Sequence, residues 1–437
     1  MKARLDLLAG TRGRLLCFCL LYLSEGVAYG FSATAMVAFM RTEGLSLSQI
    51  GAFSAALLIP WSFKWAWAPI VDLVKLHRFG GRRAWIALCT AMMIVTLITV
   101  ALIDFRTNFR LLLAMIVLNN LFCATQDVAI DSLAVRTLRE NELARGNGFM
   151  FGGQYAGIAL GGGGAIFVFG QWGLSAALWY VSAMLFASLA FVLIFIRDPD
   201  VAPTSRRPLR DTLSDIAGSF LAFLRELYRS FLKSGSGPRV GLVFALVPTG
   251  AMAMAYAMLG TMKVDYGLSQ TQIATLSVYN TIAGAIGCMV GGWFGDRFGI
   301  RRLLGVFFVL SAVPTLALAS QISAHGLAQI ALPLFYGLTI SHGLVFGMGY
   351  GVHKAVFMGM TNPAVAATQF TTFMAMGNLA ISYTNFWQGH VAERFGYATV
   401  LYVDALIVLV PLALLPFVGG RQTDEVPALE TALLQTD

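Results

Sequence analysis

Apolar runs of about 20 residues recur from end to end of the chain, each bounded by a short polar stretch, and about 20 residues of helix span a bilayer core. They lie near residues 15–39, 49–73, 84–103, 110–135, 146–170 and 175–196, then near 240–262, 271–295, 302–322, 327–352, 364–389 and 397–418. The pattern predicts an all-α polytopic membrane protein with twelve transmembrane helices in two six-helix bundles. It divides the chain into an N-terminal bundle (1–196), a linker (197–238), a C-terminal bundle (239–420) and a tail (421–437). Inside the linker, residues 209–233 place Leu213, Ile216, Phe220, Phe223, Leu224, Leu227 and Phe231 at helical spacing with charges opposite. That predicts an amphipathic helix lying on the membrane surface.

Composition agrees with the pattern. With 57% hydrophobic and only 12% charged residues, the chain lacks the surface a soluble protein of this size needs. The net charge of +8 then reflects topology rather than nucleic-acid binding. Twelve spans put both termini on one side. If that side is the cytoplasm, its segments hold 24 of the 30 Lys+Arg, the opposite loops hold Arg41, Arg106, Arg110, Lys263 and Arg394, and Lys64 alone is left within a span. Basic residues resist translocation, so both termini are expected in the cytoplasm. The opening MKARLDLLAGTRGR is too polar for a cleavable signal. The cysteines (Cys17, Cys19, Cys89, Cys123, Cys288) sit in apolar segments without ligand spacing and read as core, so no metal or other cofactor is expected. GGGG at 161–164 lacks the Lys and Ser/Thr of a phosphate loop and reads as close helix packing by Gly157 and Gly161. Energy must then come from an ion gradient or the solute's own gradient. His77, His325, His342, His353 and His390 lie at different depths without a nucleophile–base cluster, which argues against a membrane-embedded transferase. No charged ring or re-entrant filter marks a channel.

The two halves repeat. Asp72 precedes FGGRR at 79–83, and Asp296 sits in GGWFGDRFGIRR at 291–302, an offset of 224 residues that also carries Gly153 onto Gly377 and Gln154 onto Asn378. Parallel six-helix repeats imply a binding site between the halves and transport by rocking one bundle against the other. Because the repeat supplies both halves of the site, a monomer is expected.

These residues resemble the major facilitator superfamily, whose Gly-rich Asp-Arg, Gly-Arg-Arg motif stands between spans 2 and 3 and again between spans 8 and 9. The second copy matches closely; in the first, Pro69 replaces a Gly and LVKLHR lengthens the loop. FKWAWAPIVD (63–72), FGGRRAW (79–85), CATQDVAIDSLAV (123–135) and AATQFTTFMAMGNL (366–379) are similar to the branch of AmpG muropeptide permeases and acetyl-CoA transporters. The resemblance implies a proton-coupled importer of a bulky polar or anionic solute in a bacterial inner membrane. Siderophore importers with similar pieces, and an exporter of the same fold, stay open. It also implies a cytoplasmic gate formed by Asp72, Arg82 and Arg83 with Asp296, Arg297 and Arg301.

Charged residues inside spans narrow the site. A lysine at a helix centre costs about 2.5–3.5 kcal/mol to insert, so Lys64 needs a partner facing protein or a water-filled cavity. Lys64 lies about 12 Å in from Asp72, Asp127 about 13.5 Å and Asp131 about 7.5 Å in from Arg136, at 1.5 Å per residue. Four apart, the two aspartates share a helix face. The depths predict a Lys64–Asp127 pair with Asp131 in reach, either a fixed brace between spans 2 and 4 or an element that solute or proton rearranges. Glu25, some 16 Å past Arg14, is the first candidate for proton coupling, followed by Asp127, Asp131 and His342. Lys64 could attract a carboxylate or phosphate. Gln126, Gln154, Tyr155, Tyr279, Asn280 and Asn378 could contact solute, though each alone could equally be helix glue.

Overall fold

A computed structural model describes residues 6–43, 47–74, 80–102, 108–198, 223–233 and 236–418. A bilayer core offers no water to backbone polar groups, so the segments crossing it bond internally as helices. α1 runs Thr11–Gly30 and continues through a π turn, Phe31–Ala35, into Met36–Thr42. α2 is Leu47–Leu73, α3 Arg82–Leu102 and α4 Phe109–Thr137. α5 starts as Leu143–Ile158 and passes through a second π turn, Ala159–Gly164. The following helix, Ala165–Phe195, is broken at Gly173, where φ is 81°, and 174–195 forms α6. In the second half, α7 comprises Ser236–Ala245 and Ala257–Asp265, followed by α8 (Gln270–Phe298), α9 (Ile300–His325) and α10 (Leu332–Met360). Ala366–Ile407 reverses at Gly396, φ 79°, separating α11 from α12, and α12 continues into Leu409–Leu414.

Two features differ from the hydropathy reading. α7 is not continuous: residues 246–256 leave the helix at Pro248 and Gly250, the latter at φ 83°. Side chains from neighbouring helices satisfy the unwound backbone. Ser311 Oγ accepts from Ala251 N at 3.2 Å, Asp404 Oδ2 accepts from Ala253 N at 2.9 Å, and His342 Nε2 lies 2.8 Å from the Ala251 carbonyl. The second difference is the end of α10. The helix runs to Met360 and stops at the Thr361-Asn362-Pro363 turn, so Lys354 is a buried helical residue rather than a loop charge. Lys64 is therefore not the only basic side chain inside a span. Of the expected linker helix, 209–222 lies outside the described residues, and 223–233 is helical.

Glycines set the closest packing. An alanine Cβ at Gly157 or Gly161 would fall 2.1 Å from the Leu23 carbonyl oxygen and 2.0 Å from that of Val27, so α1 and α5 touch backbone to backbone. The same closeness joins the two halves: a Cβ at Gly148 of α5 would meet the Cys288 carbonyl oxygen of α8 at 2.3 Å. Arg14 bonds Glu142, Arg82 bonds Asp198, and Asn362 bonds Ser230, which fixes the chain start, the loops after α2, α4 and α6, and the linker on one face.

Candidate functional site

Four helices of the N-terminal half bring a charged network together in its interior. Lys64 of α2 pairs with Asp127 of α4, both side chains 5% exposed, with the Trp61 ring 5.4 Å from the ammonium. The pairing follows from matched depth on neighbouring helices and from the cost of leaving either charge alone. Asp131, one turn further along α4, accepts a hydrogen bond from the Tyr22 hydroxyl of α1. Glu25, also on α1 and fully buried, accepts from Gln154 Nε2 of α5 at 2.6 Å; its other oxygen, Oε2, is enclosed with no partner. Lys64 is near enough to Glu25 and Asp131 to act on both through space.

The uncharged candidates separate by location. Gln126 donates to Thr90 Oγ1 of α3 at 2.6 Å and so braces α3 against α4. Tyr155 places its ring against Gly284 of α8, with a Cβ there 3.6 Å from the ring, across the boundary between the halves. Asn280 of α8 lies beside Gly343 of α10 with both amide atoms enclosed and unpartnered, a pair of groups able to take a polar ligand. Asn378 is half-buried on α11, and Tyr279 is 48% exposed. His342 bonds the unwound part of α7 and stacks on Phe346 at 5.7 Å, away from the charged network. Tyr22 and Lys354 join the list. Tyr22 sits in an apolar run with no spacing signal, and Lys354 looked like a span end.

On the linker face the halves are locked by two carboxylates that the repeat relates. Asp72 at the end of α2 accepts from the first amides of α11, Ala367 N at 3.1 Å and Thr368 N at 2.8 Å, and from Thr368 Oγ1 at 2.9 Å. Asp296 at the end of α8 accepts from the first amides of α5, Ala144 N at 2.9 Å and Arg145 N at 3.1 Å, and from Arg145 Nε at 2.7 Å. Each thus caps a helix N-terminus of the opposite half, where orphan amides and the helix dipole favour an anion. Arg82 and Arg83 work within their own half: Arg82 Nε donates to Ser132 Oγ at 2.7 Å and Arg83 Nη2 to the Leu193 carbonyl at 2.5 Å. Arg297 and Arg301 are exposed, and the Arg297 guanidinium lies 5.6 Å from the Trp293 ring. Arg145, which lies outside the repeated motif, bridges the halves. A further hydrogen bond between the bundles, Asn147 Nδ2 to Met358 Sδ at 3.3 Å, lies on the same side. The linker face is closed, and the described hydrogen bonds nearer the opposite face stay within each half.

The sequence profile of the Major Facilitator Superfamily matches residues 16–260 and 240–431. The chain is 24% identical over 412 residues to the anhydromuropeptide permease of Escherichia coli (strain K12), covering 92% of this chain and 78% of that protein. The human organic anion transporter MFSD10 superimposes with a TM-score of 0.70 at 16% identity, covering 93% of this chain and 99% of that one. The proton:xylose symporter XylE superimposes with a TM-score of 0.69 at 13% identity, covering 97% and 100%.

Proposed function

The chain belongs to the major facilitator superfamily, and from that premise we propose that it imports an anhydromuropeptide-like solute together with protons, by alternating access. The observation that carries the proton assignment is the Glu25 site. A carboxyl group buried between α1 and α5, bonded through one oxygen and unpartnered at the other, has an open position for a proton. Asp127 and Asp131 share Lys64 and Tyr22, so a proton taken up at Glu25 changes the charge balance of the whole cluster. The solute class rests on the permease relative, which is matched over most of both chains. Solute would enter from the face opposite the linker. Taking the Lys+Arg-rich linker face as cytoplasmic, that entry face is the outer one, as the import reading requires.

The gate in this proposal is the pair of helix caps at Asp72 and Asp296. Opening toward the linker face breaks both, while Arg82 and Arg83 brace helix ends of the N-terminal half and Arg297 and Arg301 stay exposed at the rim. Polar ligands for the solute are Gln154, Tyr155, Asn280 and Asn378 near the boundary, with Lys64 available once Asp127 is neutralised; Gln126 and Tyr279 take a bracing and a peripheral role.

Uptake of anhydromuropeptide into proteoliposomes with an imposed pH gradient tests this. Accumulation that needs the gradient in wild type, and that Glu25→Gln abolishes while sparing exchange at equal pH, is the expected result. A transporting protein in which Glu25→Gln is silent sinks the Glu25 assignment, and uptake equal to that of empty liposomes sinks the solute class.

A further inference from the structure

α10 carries a second buried cation that the N-terminal network does not explain. Lys354 is 4% exposed. Among the described residues no carboxylate or hydrogen-bond acceptor lies within bonding distance of its ammonium, whose near neighbour is the Tyr350 ring at 4.8 Å. Cation–π contact with one tyrosine offsets only part of the cost of enclosing an ammonium. A lysine kept under those conditions within a membrane bundle calls for a partner that comes and goes.

The surroundings say what that partner is. Lys64 and Asp131 are the charged groups close enough to act on Lys354 through space. Both are already engaged, Lys64 by Asp127 and Asp131 by the Tyr22 hydroxyl. Glu25, Asp127 and Asp131 outnumber Lys64 in the N-terminal network, so an anionic group meets less repulsion against Lys354 than against that network. Gly377 of α11 faces the ammonium at contact distance, a Cβ there lying 3.5 Å from Nζ, so a larger side chain would crowd the amine. Tyr350 also packs edge-on against Phe151 of α5, ring centroids 5.0 Å apart, so a group held at Lys354 rests where the two halves meet.

We infer that Lys354, with Tyr350 beside it and Gly377 facing it, is the binding point for a carboxylate of the transported solute. The inference rests on the transporter reading above and deepens it. An anhydromuropeptide carries carboxylates on its peptide, and one such group entering with one proton leaves the summed charge of the buried cluster unchanged. Lys64, held by Asp127, answers to the proton side of that exchange, and Lys354 answers to the solute.

The test compares equilibrium binding of anhydromuramyl tripeptide and its fully amidated form to the full-length protein in nanodiscs. A charge-assisted hydrogen bond predicts that wild type prefers the acid over the amide by roughly ten- to a hundredfold. Lys354→Gln is expected to abolish that preference while leaving amide affinity unchanged, Lys354→Arg to retain most of it, and Gly377→Val to weaken acid binding more than amide binding. Lys354→Gln removes an unpaired charge and is expected to melt no lower than wild type, so a lost preference is not a folding defect. A wild-type acid-to-amide ratio in Lys354→Gln overturns the inference, as does an equal loss of both forms, which would make Lys354 a counter-charge to Asp131. If wild type binds neither form, the solute class fails, and the amine is judged without solute. Sulfo-NHS acetate, an anionic acylating reagent, should then modify Lys354 faster than neutral NHS acetate, scored by mass spectrometry. Equal rates, or no reaction, would overturn the anion site.

Discussion

Lys64→Met removes the ammonium and strands Asp127, whose side chain is 5% exposed. A charge pair at 4 Å and an effective dielectric of 20 is worth roughly 4 kcal/mol, and breaking a buried pair by removing one partner costs about 3–5 kcal/mol. The stranded carboxylate has one escape, to take up a proton. Each pH unit of acidification makes taking up a proton easier by about 1.4 kcal/mol. The expected destabilisation is therefore about 4 kcal/mol at pH 7, falling to about half at pH 5.5, because acid lowers the cost of the neutral form. Asp127→Asn strands the ammonium instead, and its escape, losing a proton, grows harder as pH falls. Its loss should be smaller at neutral pH, since Asp131 and Glu25 remain near Lys64, and should not shrink in acid. The double variant Lys64→Met/Asp127→Asn strands nothing and should match or exceed wild type. Unfolding free energies in mixed detergent–SDS micelles at the two pH values measure all three. A double variant as unstable as the sum of the singles, or a Lys64→Met loss that ignores pH, refutes the isolated-pair reasoning.

Asp296→Asn weakens three hydrogen bonds that close the linker face, charge-assisted bonds being worth about 1.5–3 kcal/mol each. Spin labels at Asn141→Cys and Arg302→Cys, both exposed on that face, should report a wider-distance population at least tenfold larger than in the parent; an unchanged distribution removes Asp296 from the gate. Gly148→Leu puts side-chain atoms into the Cys288 carbonyl of α8, so the linker face cannot close and transport is lost while the protein still reaches the membrane. Gly170→Ala, with nothing within 4 Å, is the matched silent control, and normal uptake by Gly148→Leu would contradict the α5–α8 contact. Glu142→Leu deprives Arg14, 4% exposed, of contacts at 2.8 and 2.6 Å and should cost about 3–5 kcal/mol of stability, with Arg14→Met in the same chain restoring it. Thermal melts without that rescue would show that the pair is not what holds the start of α1.

The bilayer makes the outline of this fold legible from residues alone. A span must be apolar for its full length, so hydropathy marks all twelve helices, missing only the break in α7, and the 224-residue offset pairs the halves. Lys64–Asp127 was legible for a related reason: two charges in apolar helices have few places to go, and counting the rise from each helix end put them at one depth. What escaped is what depth does not encode. Tyr22 and Arg145 carry no signal of their own, since a tyrosine in an apolar run and an arginine near a helix start are ordinary. Lys354 was misplaced because a basic residue near an interface reads as a span boundary, whereas the stop comes six residues later. The break in α7 did leave a trace, Pro248 and Gly250 inside an apolar run, and it explains three polar residues of the neighbouring spans. His342, Ser311 and Asp404 serve the amides and carbonyls that the unwound stretch exposes.

The repeat is kept at the rim and lost in the interior, and that contrast orders the two halves. Asp72 and Asp296 perform one task twice, each capping the first amides of a helix in the opposite bundle. If the interiors were equally alike, Lys64, Asp127 and Glu25 would have counterparts in the second half. The 224-residue offset gives instead Cys288 for Lys64, Gly351 for Asp127 and, within the unwound stretch of α7, Thr249 for Glu25. The C-terminal half spends its polarity on a broken helix and on Lys354, which has no bonded carboxylate among the described residues. A bundle whose three carboxyl groups, Glu25, Asp127 and Asp131, outnumber its Lys64 has a place for a proton without a solute present. A bundle holding one unbalanced cation is completed only when an anion arrives. In the proposed cycle, closing the solute between them joins the two conditions, and that junction is where proton and solute movement would become a single step.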